Sequence, residues 1–196
     1  MSLTSTAEIA IAQEIQQSFE RKSKPILDTL EYAARSLRAL ALNGDYYDVL
    51  DISACRMAFV LGDISGKGLP AALLMASLRA SIVAQRPDAF DNLPRMLKKV
   101  HEVFYESSPP DHFASLFFAD YNERAGSLRY VNCGHVPPLL FSYDGEVERL
   151  GPTAPVIGVF NHWNGTVDEV TPKRGNVLVM FTDGGSKGKA ILDGVN

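Results

Sequence analysis

A chain of 196 residues, 46% hydrophobic and 21% charged, is long enough for one domain with a sizeable core and too short for two confident ones. Its net charge of −4 offers no basic excess to hold nucleic acid and no standing attraction to an anionic membrane. No apolar run approaches the ~20 residues that span a bilayer, and the start MSLTSTAEIA lacks the basic and apolar regions of a signal peptide. A cytoplasmic protein with no nucleic-acid and no membrane partner is therefore expected.

The elements follow in chain order. Ser5-x-x-Glu8 forms a capping box, and Ile11, Ile15 and Phe19 recur at four-residue spacing, which predicts an amphipathic helix over about 5–22. Such a helix either packs on its own domain or serves as a linker or dimerisation helix. LEYAARSLR (30–38) reads as a strand. Two β-rich runs, 45–50 and 57–62, flank the turn-like Asp51-Ile52-Ser53, and the continuously apolar Met57–Leu61 suits a strand covered on both faces. Pro70 opens a helix that meets no breaker before Pro87, with alanines that allow close approach to a sheet. A further helix runs from Asp91 or Asn92 to about Ser107, with Leu93, Leu97, Val100 and Phe104 on one stripe. Strands at 114–121 and 127–133 follow, then PLLFSY and EVERL around Asp144-Gly145, a strong hairpin signal. NVLVMFTDG (176–184) reads as a buried strand ending in an aspartate. Cys55 and Cys133 lie in apolar segments and read as buried free thiols. Strands around two central helices make the class α+β with mostly antiparallel pairing.

Gly44-Asp45 and Gly62-Asp63 stand near the ends of the first predicted hairpin, and glycine and lysine follow the second pair. A Walker A loop requires four residues between its glycines and a hydroxyl after the lysine. Gly62-Asp63-Ile64-Ser65-Gly66-Lys67-Gly68 has three, lacks the hydroxyl, and carries an acid that would repel phosphate, so a phosphate cradle is excluded. A metal seat is the other reading. With the turn centred near Ser53, Asp45 lies opposite residue 61 and Asp63 is its diagonal neighbour, ~7–8 Å away at the backbone. Carboxylate and carbonyl oxygens suit Mg²⁺ and Mn²⁺, and Asp183, at the end of a separate strand, is placed to be a third ligand. Asp-Gly junctions also serve as ordinary turns and caps, and spacing alone leaves the two readings open.

Leu42-Asn43-Gly44-Asp45-Tyr46-Tyr47-Asp48 and Gly62-Asp63-Ile64-Ser65-Gly66-Lys67-Gly68-Leu69-Pro70 resemble motifs of the PPM-type bacterial serine phosphatases, the SpoIIE/RsbU-like branch of the PP2C superfamily. Asn132-Cys133-Gly134-His135-Val136-Pro137-Pro138-Leu139-Leu140 is similar to that branch's N-A-G-H-x-P-P-L-L, and Phe181-Thr182-Asp183-Gly184 to its Y-T-D-G. The helix Glu8 to Phe19 looks like the helix that joins sensor and phosphatase domains there. The resemblance implies two stacked antiparallel β-sheets flanked by α-helices, a PP2C-like αββα sandwich. It also implies a centre of two Mn²⁺ or Mg²⁺ ions, held by Asp45, Asp63, the Ile64 main-chain carbonyl and Asp183, that removes phosphate through a metal-activated water. Ser65 and Cys55 need no catalytic role in such a reaction. The implied substrate is a phosphorylated regulatory protein, such as a STAS-type anti-anti-sigma factor, with an upstream sensor domain or activator protein and a homodimer as further partners.

The expected organisation is a linker-type helix over 1–24 and a phosphatase domain over 25–196. Gly185-Ser186-Lys187 departs from the branch's V-T-E-A, and Asp193 falls earlier than its final aspartate ligand, so the domain is expected to be C-terminally incomplete, without the usual closing segment. Two rivals follow: a pseudophosphatase that binds a partner without turnover, and a phosphohydrolase of small metabolites. His135 is either a general acid for the leaving oxygen or a residue making structural hydrogen bonds in a strand connection. Asp48 is either an outer-shell group or surface, and Lys67 either attracts phosphate or is solvated. His101, His112 and His162 form no ligand spacing.

Overall fold

A computed structural model of the protein describes residues 6–19, 26–36, 42–85 and 87–182. Helix α1 (Thr6–Ser18) leads, and the hairpin strands β1 (Tyr46–Ser53) and β2 (Arg56–Ile64) follow. Next come α2 (Leu69–Val83), a short 3₁₀ turn (Pro87–Asp91) and α3 (Leu93–Ser107). Strands β3 (Ala114–Asn122), β4 (Ser127–Cys133), β5 (Leu139–Phe141), β6 (Val147–Arg149), β7 (Asp168–Val170) and β8 (Val177–Val179) complete the set. They form a five-stranded sheet in the order β1-β2-β3-β4-β7 and a three-stranded sheet in the order β6-β5-β8, with every pair antiparallel.

The larger sheet buries both faces. One face, through Tyr46, Leu50, Val60, Leu116, Phe118 and Val131, packs on α2 and α3. Helix α2 turns Ala71, Met75, Leu78 and Ile82 inward, and its alanine lets the helix come close. Helix α3 is capped by the Asn92 side chain, which accepts from Arg95 N–H, and buries the expected stripe of Leu93, Leu97, Val100 and Phe104. The other face, through Met57, Phe59, Phe117, Tyr121 and Tyr130, meets Leu150 and the second sheet's Leu178. Burial of consecutive residues, Met57 to Val60 in β2 and Leu116 to Tyr121 in β3, is what a strand covered on both sides requires. Among the described residues the helices all lie on one side of this pair of sheets.

Several expectations change. Residues 31–36 form no strand, and among the described residues nearby the pairing is an isolated bridge between Leu27 and Leu30; residues 37–38 lie outside the described part. Tyr32 anchors this stretch instead, edge-on against Phe59, while alanine-rich LEYAARSLR lacks the β-branched residues that favour a ladder. Ile11 and Ile15 of α1 face outward, and its buried residue is Gln16, whose Nε2 donates to Asn43 O at 2.8 Å. The strand expected at 176–184 is described only over Val177–Val179 and is half-exposed rather than buried. Both cysteines are free, but Cys55 stands half-buried at a hairpin turn and only Cys133 is fully buried. Burial pushes the Cys133 thiol well above its ordinary pKa.

Candidate functional site

The first hairpin turns at Ala54-Cys55, one residue later than expected. Ser53 pairs with Arg56, a bulge separates it from Asp51, and from there the register runs to Tyr46 opposite Gly62. Ile64 N–H then donates to Gly44 O at 3.3 Å, so the ladder continues two pairs past the end of β1. Asp45 therefore faces Asp63 directly and not residue 61. Because Gly44 and Ile64 share a hydrogen bond, the two aspartates occupy a non-hydrogen-bonded position, where side chains stand closest, with Cα atoms typically about 4.5 Å apart. Two carboxylates directly opposite each other repel.

Both aspartates are half-buried. Side-chain alternation places Asp45 with Val49, and Asp63 with Phe59, on the face toward the second sheet. Asp48 has the opposite parity. It is buried on the helix side, where it forms an ion pair with Arg79 of α2 at 3.3 Å and accepts from Tyr46 OH at 3.2 Å, so it is neither at the surface nor beside the facing pair. Gly44 is required by space: a Cβ there would meet Ile64 O at 2.8 Å and Ala71 Cβ at 3.3 Å. The Ile64 carbonyl oxygen is thus held against the same end of the ladder as the two carboxylates. After Ile64 the chain turns through Gly66 and Gly68, with φ of 97° and 72°, into α2. Ser65 is tied to the neighbouring loop, its N–H donating to Phe113 O and its Oγ accepting from Phe113 N–H. Lys67 is exposed in that turn.

Hard oxygen donors of this kind fit Mg²⁺ or Mn²⁺. Among the described residues no three His, Cys, Asp or Glu side chains gather where they could hold a metal ion; the described part contributes the facing pair and the adjacent carbonyl. Asp183 lies outside the described residues, and the chain is described up to Thr182.

The segment Asn132-Cys133-Gly134-His135 folds around a fully buried asparagine. Asn132 Oδ1 accepts from His135 N–H at 2.8 Å, its Nδ2 donates to Leu150 O at 3.0 Å, and its backbone N–H donates to Thr153 Oγ1. Gly134 sits at φ 65°, where a Cβ would come within 2.5 Å of Val156 Cγ1. His135 is 4% exposed, with Nδ1 2.9 Å from Ser115 Oγ and Nε2 3.2 Å from Phe181 O. A carbonyl oxygen can only accept, so Nε2 carries the proton and Ser115 OH donates to Nδ1. Ser115 is the ladder partner of Asp63. Nothing local in the sequence marks this serine, because its place is set by a register between distant strands.

The remaining histidines lie elsewhere. His101 is buried on α3, stacked between Tyr105 and Trp163, and its Nδ1 accepts from Gly158 N–H at 3.1 Å. Burial lowers its pKa, opposed by a hydrogen bond to the Phe160 backbone. His112 is half-buried and His162 exposed.

Two sheets stacked face to face over a helical layer define a PP2C-like fold, and solved structures bear this out. The SiaA-PP2C domain of Pseudomonas aeruginosa matches with a TM-score of 0.71 at 18% identity, over 88% of this chain and 69% of that one. The RsbU and RsbW domains of Rv1364c from Mycobacterium tuberculosis match with a TM-score of 0.63 at 27% identity, over 76% of this chain and 41% of that one. The chain belongs to the Stage II sporulation protein E (SpoIIE) family, whose model matches residues 53–190. It is 28% identical over 185 residues to the phosphoserine phosphatase RsbU of Bacillus subtilis (strain 168), a match covering 91% of this chain and 53% of that protein. The chain spans about half or less of the length of the curated relatives it matches. No helix among the described residues is long and apolar enough to cross a membrane.

Proposed function

We propose that the chain is a metal-dependent protein serine/threonine phosphatase domain acting on a phosphorylated regulatory protein of the STAS type. The observation that carries this reading is the direct apposition of Asp45 and Asp63 beside the Ile64 carbonyl, in a family whose relative RsbU is named a phosphoserine phosphatase. Asp45, Asp63, the Ile64 carbonyl and Asp183 would hold two Mn²⁺ or Mg²⁺ ions. When bound, the ions supply Lewis-acid chemistry: they acidify water and offset charge on phosphoryl oxygens.

The chain's own residues set the stage for that chemistry. The facing carboxylates repel a phosphate dianion until they are neutralised, so substrate binding is coupled to metal loading. Lys67, exposed in the adjoining turn, draws the phosphate inward. Ser65 is occupied with Phe113, so no covalent serine intermediate is needed. The segment 1–24, which carries α1, acts as a linker that couples a sensor or activator protein to the phosphatase domain over 25–196, and the working protein is a cytoplasmic homodimer. Support for the coupling is Gln16 of α1, which holds the Asn43 carbonyl two residues before Asp45.

Hydrolysis of p-nitrophenyl phosphate across a Mn²⁺ titration, with Asp63→Asn as control, tests the chemistry. The expected result is Mn²⁺-dependent turnover that the variant lacks. No turnover at any Mn²⁺ concentration, with partner binding intact, would replace the enzyme by a regulatory binding module. A phosphorylated STAS protein should then be hydrolysed faster than free phosphoserine or nucleotides; the reverse order would make the protein a small-metabolite phosphohydrolase.

A further inference from the structure

The ladder of β2 and β3 runs on past the end of both strands. Asp63 pairs with Ser115 and Ile64 with Ala114. One step further, Ser65 N–H donates to Phe113 O at 2.8 Å, and Phe113 N–H donates to Ser65 Oγ at 2.9 Å. Phe113 therefore continues the alternation of β3, in which Phe117, Ala119 and Tyr121 face the second sheet and Ala114, Leu116 and Phe118 face the helices. Its side chain belongs to the face that carries Asp63. It is the diagonal neighbour of that aspartate, ~7–8 Å away at the backbone, a separation that an aromatic ring can bridge. Phe117, Ala119 and Tyr121 are buried on this face, whereas Phe113 is 40% exposed.

The segment on the other side of Phe113 is apolar and exposed as well. Ala114 and Ile157 exchange both backbone hydrogen bonds, at 2.9 and 2.8 Å, in an antiparallel bridge that lays the residues after Ile157 alongside 111–113. A Cβ at Gly158 would lie 3.2 Å from His112 O, so the two segments touch. Val159 and Phe160, which follow, are both exposed. The end of the sheet that carries the facing aspartates is thus bordered by an apolar rim. A phosphoserine presented to Asp45 and Asp63 by a polypeptide would lay its neighbouring residues across that rim, while a free phosphate ester would reach only the aspartates. The rim side chains offer no hydrogen bond, so what they gain on contact is burial of apolar surface.

We propose that Phe113, with Val159 and Phe160 beside it, is a specificity-determining edge of the phosphatase site that receives apolar side chains flanking the phosphoserine of a protein substrate. The inference rests on the phosphatase reading above and deepens it: the surroundings of the phosphoserine, and not the phosphate alone, decide which protein is hydrolysed.

The test uses the full chain with Mn²⁺ and three probes. Two are phosphoserine peptides of equal length, one with leucine and one with glycine on both sides of the phosphoserine, and the third is p-nitrophenyl phosphate. The parent should show a kcat/KM about tenfold higher for the leucine-flanked peptide, the order that partial burial of an aliphatic side chain gives. Phe113→Ala should bring the two peptides to within about twofold of each other, and Phe113→Leu, which keeps an apolar side chain, should retain part of the preference. Phe160→Ala should weaken it less, and carries the test should Phe113→Ala fail to fold. Tyr143→Ala removes an exposed aromatic from the distant β5–β6 hairpin and should leave the preference intact. Equal kcat/KM for the two peptides in the parent, or a preference that survives in both Phe113→Ala and Phe160→Ala, would overturn this proposal alone. Hydrolysis of none of the three probes by the parent would overturn the phosphatase reading, and this proposal with it.

Discussion

Strand β2 begins at Arg56 and has Asp63 next to its end, and the two ends of this strand handle acidic groups differently. Near Arg56, Asp120 of β3 is buried, and the chain supplies its counter-charges. Arg56 reaches it at 2.8 Å, Arg129 of β4 bonds the same oxygen, and both arginines also donate to the Phe90 carbonyl. Hydrogen bonding to Asp120 raises the Arg56 pKa above its already high ordinary value. Near Asp63 the ladder instead brings a second carboxylate, Asp45, face to face. One end is a closed ionic staple that serves stability. The other sets two carboxylates directly opposite each other, where like charges repel.

The contrast can be broken at each end. The largest effect is expected for Asp63→Asn: Mn²⁺-dependent phosphatase turnover should fall about 100-fold or more. At the staple, Asp120→Ala removes the buried carboxylate shared by two arginines, of which Arg56 keeps Asp91, and should cost about 3 kcal/mol in urea unfolding, with the Mn²⁺ requirement unchanged. Gly44→Ala sets a methyl against Ile64 O and should cost about 1–3 kcal/mol while also weakening Mn²⁺ binding, because it prises β1 from β2 at the site itself.

The smallest expected effect is a pH dependence at His101. Its folded pKa lies below the unfolded value of about 6.5. Its neutral form is therefore fully stabilising above that value, and the contribution is lost as pH falls through it toward the lowered folded pKa. The thermal midpoint should drop more between pH 7.5 and pH 5.5 in the parent than in His101→Gln, with Lys98 and Glu102 present in both.

Local patterns foretold most of the fold. The capped stripe of α3, the strands at β3 and β4 and the Asp144-Gly145 hairpin all follow from periodicity and turn chemistry within a few neighbouring residues. Asp45 and Asp63 were legible as candidates from their place at strand ends beside glycines. Their true relation was not, because a bulge between Asp51 and Ser53 moves the turn by one residue and no local signal announces it. Ser115 and the burial of Asp48 were also invisible, since both depend on which strand or helix packs alongside. The inward turn of Gln16 and outward turn of Ile11 and Ile15 contradict the apolar pattern of α1 for the same reason: a backbone carbonyl at Asn43 recruits the amide.

Cys133, sealed at the end of β4 with its thiol held protonated, makes the protein its own reporter of opening. The thiolate is the reactive form, so an alkylating reagent should modify half-buried Cys55 in the intact molecule and spare Cys133 until the central sheet separates. The rate at which the second cysteine becomes labelled then measures how often the strand pair of β3 and β4 comes apart, with no substitution made.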